Sequence, residues 1–172
     1  RMLKEVDFGS TATPGANNYY IADGAFAYCT ALTELILPTS LAYVDGTDYD
    51  TGIFEGCRNL MTVTLPASDA SSALRNLFNG CSNLTTVTVL PVLGVDPTCY
   101  VGDGWFAGCK QLTTVVLPDT LTGIGAAAFR NCTSLEVIAL PEGLKSIGAA
   151  AFEGCSRLSD VTLPSTLTSI GD

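Results

Sequence analysis

Six cysteines recur at nearly even intervals along the chain, and thiols at fixed spacing can form disulfides, bind a metal or act as nucleophiles. They are Cys29, Cys57, Cys81, Cys109, Cys132 and Cys155, hereafter the ladder cysteines. The chain has no histidine, which excludes Cys-His catalysis and His-ligated zinc. It also lacks a C-x-x-C pair, so the spacing does not fit a thiolate zinc site. The regular spacing of the thiols must therefore come from the secondary-structure elements on which they lie.

Each ladder cysteine lies inside a longer repeated pattern. A phenylalanine precedes it by three residues, a leucine follows by three, and apolar residues follow at six and eight. Proline then closes the run nine residues after the cysteine in five copies, and one residue later in the third copy, at Pro91. The intervals between ladder cysteines are 28, 24, 28, 23 and 23 residues. The pattern therefore indicates a repeat of about 23 residues with insertions near residues 45–52 and 92–104.

The L-x-x-L-x-L spacing in every copy is the strand signature of leucine-rich repeats. We predict a strand there, a turn at the proline, a second extended piece and a short helical turn over the Ala-Ala-Ala-Phe segment. Gly125 and Gly148 are expected to supply an unusual turn dihedral. Residues 3–8 match the strand signature as well, so about seven parallel strands should stack into one sheet.

The run from Pro118 to Leu135 resembles the BspA-like class of leucine-rich repeats, and Pro141 to Leu158 repeats it. The resemblance implies a right-handed solenoid of the β-rich α/β class, with residues 1–172 forming a single repeat domain. It also implies an extracellular or cell-surface location and adhesion to a protein, whether a host extracellular protein or one on a neighbouring cell. The first residues fall within a repeat and residues 167–172 stop before the expected Ala-Phe, so we expect a segment of a longer protein.

Stacked coils predict that the ladder cysteines are buried and reduced. In-register coils are about 4.8 Å apart with parallel Cβ directions, whereas a disulfide needs converging Cβ atoms roughly 3.5–4.5 Å apart. Small buried hydrophobes are therefore expected at these positions. Cys99, in the second insertion, belongs to no ladder, and we expect it beneath that insertion rather than free on its surface.

Residues five and seven positions after each ladder cysteine should point away from the core, and we call them the strand face. Leucine-rich repeats commonly bind partners there, although threonine on such a face also suits a solvated sheet. The candidate partner-binding residues are Glu34, Ile36, Thr62, Thr64, Thr86, Thr88, Thr114, Val116, Val137, Ala139, Asp160 and Thr162.

Composition narrows the functional classes. A net charge of −9 opposes nucleic-acid binding, and 47% hydrophobic residues oppose disorder. No uncharged stretch is apolar enough to span a membrane. We expect no catalytic residues, no metal and no cofactor; Asp45, Asp48 and Asp50 form an acidic loop whose spacing does not match an EF-hand calcium site. The sequence thus favours a non-enzymatic protein-interaction module, with a passive spacer as the alternative and an ice-binding threonine array as a weaker one.

Overall fold

A computed structural model describes residues 21, 24–37, 52–67, 74–91 and 99–172. The described strands pair only in parallel and form two separate four-stranded sheets. The first sheet contains β1 (Glu34–Ile36), β2 (Thr62–Pro66), β3 (Thr86–Leu90) and β5 (Thr114–Val116). The second contains β4 (Tyr100–Val101), β6 (Gly123–Ile124), β7 (Ser146–Ile147) and β8 (Ser169–Ile170). A chain that returns to the same sheet after every turn, always in parallel, is a solenoid.

The first sheet follows the predicted L-x-x-L-x-L runs in the predicted register. Thr62 pairs with Glu34 and Thr86, and Thr86 pairs with Thr114, all of which lie five residues after a ladder cysteine. The next two copies meet at a parallel bridge between Val137 and Asp160. The predicted repeat solenoid is therefore confirmed, while the predicted strand at residues 3–8 lies outside the described residues.

A stack of phenylalanine rings fills the centre of the coil. The repeat phenylalanines follow one another at centroid distances of 5.3–5.7 Å with interplanar angles of 2–19°. The four inner rings are fully buried, and the repeat leucines and valines pack around them. Identical coils place identical side chains on top of one another, which is why one residue type can build a continuous core.

The Phe-x-x-Cys segments form turns rather than the predicted short helical turns, and no helix occurs among the described residues. Their amide groups bond to the next coil: Phe54 N donates to Leu77 O at 3.0 Å, and Gly56 N donates to Asn79 O at 2.8 Å. The residue before each ladder cysteine has a positive φ, as at Gly80 (71°). This left-handed conformation ends any helical run. The turn amides instead form a third row of hydrogen bonds between coils, in addition to those of the two sheets.

The second extended piece pairs with its neighbours into a sheet of its own, whereas the sequence predicted a single sheet. The prediction for Gly125 and Gly148 was also wrong, since neither residue has a positive φ. Backbone atoms of the preceding coil lie so close that a Cβ at Gly148 would collide with Ala126 N. Glycine is required there for close approach of two backbones, not for a turn.

Candidate functional site: the strand face and its edge

The structure brings the predicted strand-face residues together in two rows. One row contains Glu34, Thr62, Thr86 and Thr114, and the other contains Ile36, Thr64, Thr88 and Val116, each residue paired with the next across the sheet. Val137 and Asp160 continue the first row as a bridged pair. Ala139 and Thr162, seven residues after their ladder cysteines, are exposed but lie outside the named strands.

Exposure varies along the strand face in a regular way. The four threonines of β2 and β3 are half-buried, and the residues towards both ends are exposed. Ile36, Val116 and Val137 are large apolar side chains with exposed fractions of 62%, 50% and 59%. The centre of the face is therefore a field of hydroxyl and methyl groups, with apolar side chains towards its ends.

Inward-facing residues hold this surface in place. Leu35, Val63 and Val87 alternate with the strand-face residues and are no more than 1% exposed. A one-residue slip would turn these side chains out to water and the threonines into the core, so burial fixes the register. The two rows of the strand face are consequently fixed in register.

A groove of about 510 Å³ runs beside the strand face, and the sequence did not predict it. We call it the amide groove, and its lining residues are Thr33, Asn59, Met61, Asn83, Thr85 and Gln111. They lie two and four positions after ladder cysteines, where the chain passes from the turn into the strand. The sequence does contain one sign of this groove: three successive copies have an amide side chain two residues after the ladder cysteine.

Threonine hydroxyls join successive coils beside the amide groove. Thr85 Oγ1 donates to Met61 O at 3.0 Å, and Thr113 Oγ1 donates to Thr85 O at 3.3 Å. The same oxygens accept backbone amides of the following coil. Asn59 Nδ2 donates to Thr30 O at 2.7 Å. These bonds hold successive coils together where the groove lies.

The seven cysteines are all free thiols. The ladder cysteines also form hydrogen bonds that their spacing in the sequence did not predict. Each later ladder cysteine donates its Sγ–H to the phenylalanine carbonyl of the preceding coil, for example Cys155 to Phe129 at 3.0 Å and Cys81 to Phe54 at 3.2 Å. Burial raises the pKa of the Cys109 thiol above its ordinary value. Cys109 is therefore a neutral donor rather than a nucleophile.

Two predictions about individual thiols have different outcomes. Cys99 is buried, as expected. Cys29 is half-exposed, so the prediction that all six ladder cysteines are buried was wrong at this position. It lies in the first of the six Phe-x-x-Cys turns, where Cys57 is its one neighbour on the ladder.

With this geometry in hand, comparison with protein families gives a clear match. The profile described as BspA type leucine rich repeat region, in six copies, matches residues 4–93 and 96–172. The chain belongs to the BspA-type leucine-rich-repeat family. A comparison with curated proteins finds no match.

Solved structures of bacterial leucine-rich-repeat proteins resemble this BspA-type chain. One from Bacteroides ovatus is 32% identical with a TM-score of 0.73, and the match covers 89% of this chain and 36% of that one. A leucine rich cell surface protein from Faecalibacterium prausnitzii is 28% identical with a TM-score of 0.55, covering 93% and 46%. A protein from T. pallidum is 27% identical with a TM-score of 0.53, covering 98% and 64%. The chain thus spans less than two thirds of the length of each of these structures.

The remaining candidate chemistry is divided between described and undescribed residues. Asp45, Asp48 and Asp50 lie outside the described residues. Within the described residues, no three His, Cys, Asp or Glu side chains come close enough to hold a metal ion, and no helix is long and apolar enough to cross a membrane.

The described part of the second insertion packs into the coil. Trp105, which directly follows the insertion, is 1% exposed, its Nε1 donates to Leu74 O at 3.1 Å, and its ring meets Phe106 edge-on. Asp103 Oδ1 accepts the amide of Ala126 at 2.8 Å. This part of the insertion therefore contributes to stability.

Proposed function

We propose that this BspA-type domain is a non-enzymatic protein-interaction or adhesion module of a secreted or cell-surface protein, and that its partner docks on the strand face. The observation that carries the proposal is the two-row register, which places Thr62, Thr86 and Thr114 beside Thr64, Thr88 and Val116. The expected partner is a host extracellular protein or a protein on a neighbouring cell.

The physical case rests on entropy and shape. Threonine and valine are β-branched and stiff at χ1, so ordering them against a partner costs little side-chain entropy. Exposed Ile36, Val116 and Val137 add apolar area that a partner can cover. The central rows carry no charge, so association depends on shape and binding should weaken little with added salt.

Family relationships support the class of function. Leucine-rich repeats commonly bind proteins on their sheet surface, and the similar Faecalibacterium prausnitzii protein is described as a cell surface protein.

The test is a double substitution at the centre of the strand face. Thr86→Arg with Thr114→Arg places two long cations on adjacent strands without entering the core, because both side chains lie on the outer face. The matched control, Thr120→Arg with Ser156→Arg, adds the same charge at two exposed hydroxyl residues away from that face. The immobilised variants are compared in pull-downs from host serum and from secreted proteins of cultured epithelial cells, quantified by mass spectrometry.

We expect at least one protein that the unsubstituted chain and the control retain and that the strand-face variant loses, with circular dichroism showing all three folded. Normal retention by the strand-face variant would refute docking on this face. If deletion of residues 45–52 or 92–98 abolishes the same retention, the partner binds the insertions. A chain that retains no protein at all would favour the passive spacer.

A further inference from the structure

We propose that the amide groove binds an uncharged, β-1,4-linked polysaccharide. This ligand class is separate from the protein partner assigned to the strand face, and the inference does not rest on that assignment. The groove is lined by amide, hydroxyl and thioether groups alone, in a chain whose net charge is −9. A site that avoids charge within such a chain suits a ligand that has none.

Most of the hydrogen-bonding capacity of the amide side chains in the groove is unused. Within the described part of the chain, the side chains of Asn83 and Gln111 have no hydrogen-bond partner, and Asn59 uses one amide hydrogen on Thr30 O. A primary amide offers two donors and one acceptor oxygen with two lone pairs. All three side chains are exposed and belong to successive coils. Together they form a row of groups that both donate and accept hydrogen bonds. Such a row suits the hydroxyl groups of a sugar, because each hydroxyl also donates and accepts.

The backbone beside the groove argues against a peptide added as a strand. Met61 O accepts the amides of Thr85 and Thr86 and the hydroxyl of Thr85, and Thr85 O likewise accepts three donors. These carbonyls are saturated, whereas strand addition requires free main-chain groups. Extended peptides also repeat like-facing groups about every 6.8 Å, while coils repeat at about 4.8 Å. Successive amides therefore fall out of step with a peptide.

A β-1,4-linked pyranose chain meets the conditions that a peptide does not. It is a flat ribbon with hydroxyls along both edges and C–H groups on its faces, and it advances by about one coil per sugar ring. Successive rings are turned over relative to one another, so equivalent hydroxyls recur every second ring and can meet side chains on every second coil, here Asn59 and Gln111. Asn83 on the coil between them then meets the hydroxyls of the intervening ring. Met61 is 50% exposed in the groove, and its flexible thioether can pack against the apolar face of a ring.

The experiment is an NMR titration of the ¹⁵N-labelled 172-residue chain with cellohexaose, xylohexaose and mannohexaose. The probes for comparison are α-linked maltohexaose and a blocked Ser-Gly hexapeptide. We expect saturable shifts of the Asn83 and Gln111 side-chain amide signals with at least one β-linked sugar. Asn83→Ala and Gln111→Ala should each weaken binding about three- to tenfold, the range for one lost net hydrogen bond.

Asn79→Ala is the matched control, since it makes the same change in the same coil but outside the groove. It should bind as tightly as the unsubstituted chain. The proposal is overturned if no β-linked hexasaccharide binds, if Asn79→Ala weakens binding as much as Asn83→Ala, or if maltohexaose binds equally well. It is also overturned if the hexapeptide shifts the groove amides and the sugars do not.

Discussion

Replacing Phe129 by alanine tests whether the stacked rings are the main source of stability. Phe129 is fully buried and lies between two other rings, 5.4 Å from Phe106 and 5.5 Å from Phe152 between centroids. The substitution removes the ring while leaving the carbonyl that accepts the Cys155 thiol. Its effect therefore reports on packing.

The expected loss follows from two contributions. Removing a fully buried ring costs about 1.5–3 kcal/mol in lost burial, and each lost stacked contact costs about 0.5–1.5 kcal/mol. Phe106, one of the two neighbouring rings, is itself stacked on Phe78, so the surrounding coil cannot collapse to fill the cavity completely. We expect the free energy of unfolding to fall by about 3–5 kcal/mol, in line with other Phe-to-Ala changes in cores.

Urea denaturation followed by the fluorescence of Trp105 and by far-ultraviolet circular dichroism measures this loss. Trp105 is the single tryptophan of the chain and packs edge-on against Phe106, next in the stack to Phe129. Phe152→Ala is the matched control, because Phe152 is only half-buried and, within the described residues, stacks on Phe129 alone. That variant should lose about half as much stability or less.

Two results would show that the reasoning is wrong. A loss below about 1.5 kcal/mol for Phe129→Ala would mean that the coil refills the cavity. Equal losses for the two variants would mean that position in the stack does not determine the contribution of a ring. A variant whose two probes give different midpoints would show that neighbouring coils unfold separately.

The remaining predictions concern the thiols. Iodoacetamide under native conditions should label Cys29 alone, as measured by mass spectrometry. Labelling of Cys29 should be slow because burial raises the pKa of this thiol. Native labelling of Cys99 would contradict the burial assigned to it. Folding raises the pKa of Cys109 above 9.0, so its contribution to stability is complete below about pH 9 and is lost as the pH rises further. Relative to Cys109→Ala, the unsubstituted chain should therefore lose about 1.4 kcal/mol more between pH 7 and pH 10, measured by urea denaturation, and equal losses would refute this.

The strand positions were predictable from the sequence because burial has a strict period there. Apolar residues six and eight positions after each ladder cysteine alternate with exposed ones, and the alternation fixes which side chains reach the surface. Thr62, Thr64, Thr86 and Thr88 accordingly lie where the spacing placed them. Their use by a partner stays a prediction.

The second sheet and the hydrogen-bonded turns were not predictable in the same way. Ala126, Ala127 and Ala128 have high helix propensity, yet Ala127 N donates to Ala149 O of the next coil. Bonds between coils therefore outweigh the local preference for a helical turn. Helix propensity describes one segment in isolation, whereas these residues form hydrogen bonds to the equivalent residues of the next repeat.

The amide groove was missed for a different reason. Its lining residues lie two and four positions after the ladder cysteines, where the repeat pattern is not apolar and periodicity predicts only exposure. Asn59, Asn83 and Gln111 become a row only when the coils are stacked. The sequence contains their spacing, but without the axis of stacking it does not show that they face a common groove.

The ladder cysteines now have a physical explanation that disulfide, metal and catalytic hypotheses did not provide. The carbonyls of the first five repeat phenylalanines each accept the amide of their own turn and the thiol of the following coil, as Phe106 does from Cys109 N and Cys132 Sγ. Alanine would leave out the second bond, and serine would bury a more polar hydroxyl in the same place. A thiol is small, apolar and a weak donor, so it can fill the core and join two coils at once. Because the core, the backbone ladders and these thiols hold the coils together, the strand face and the amide groove can change residues without loss of the fold.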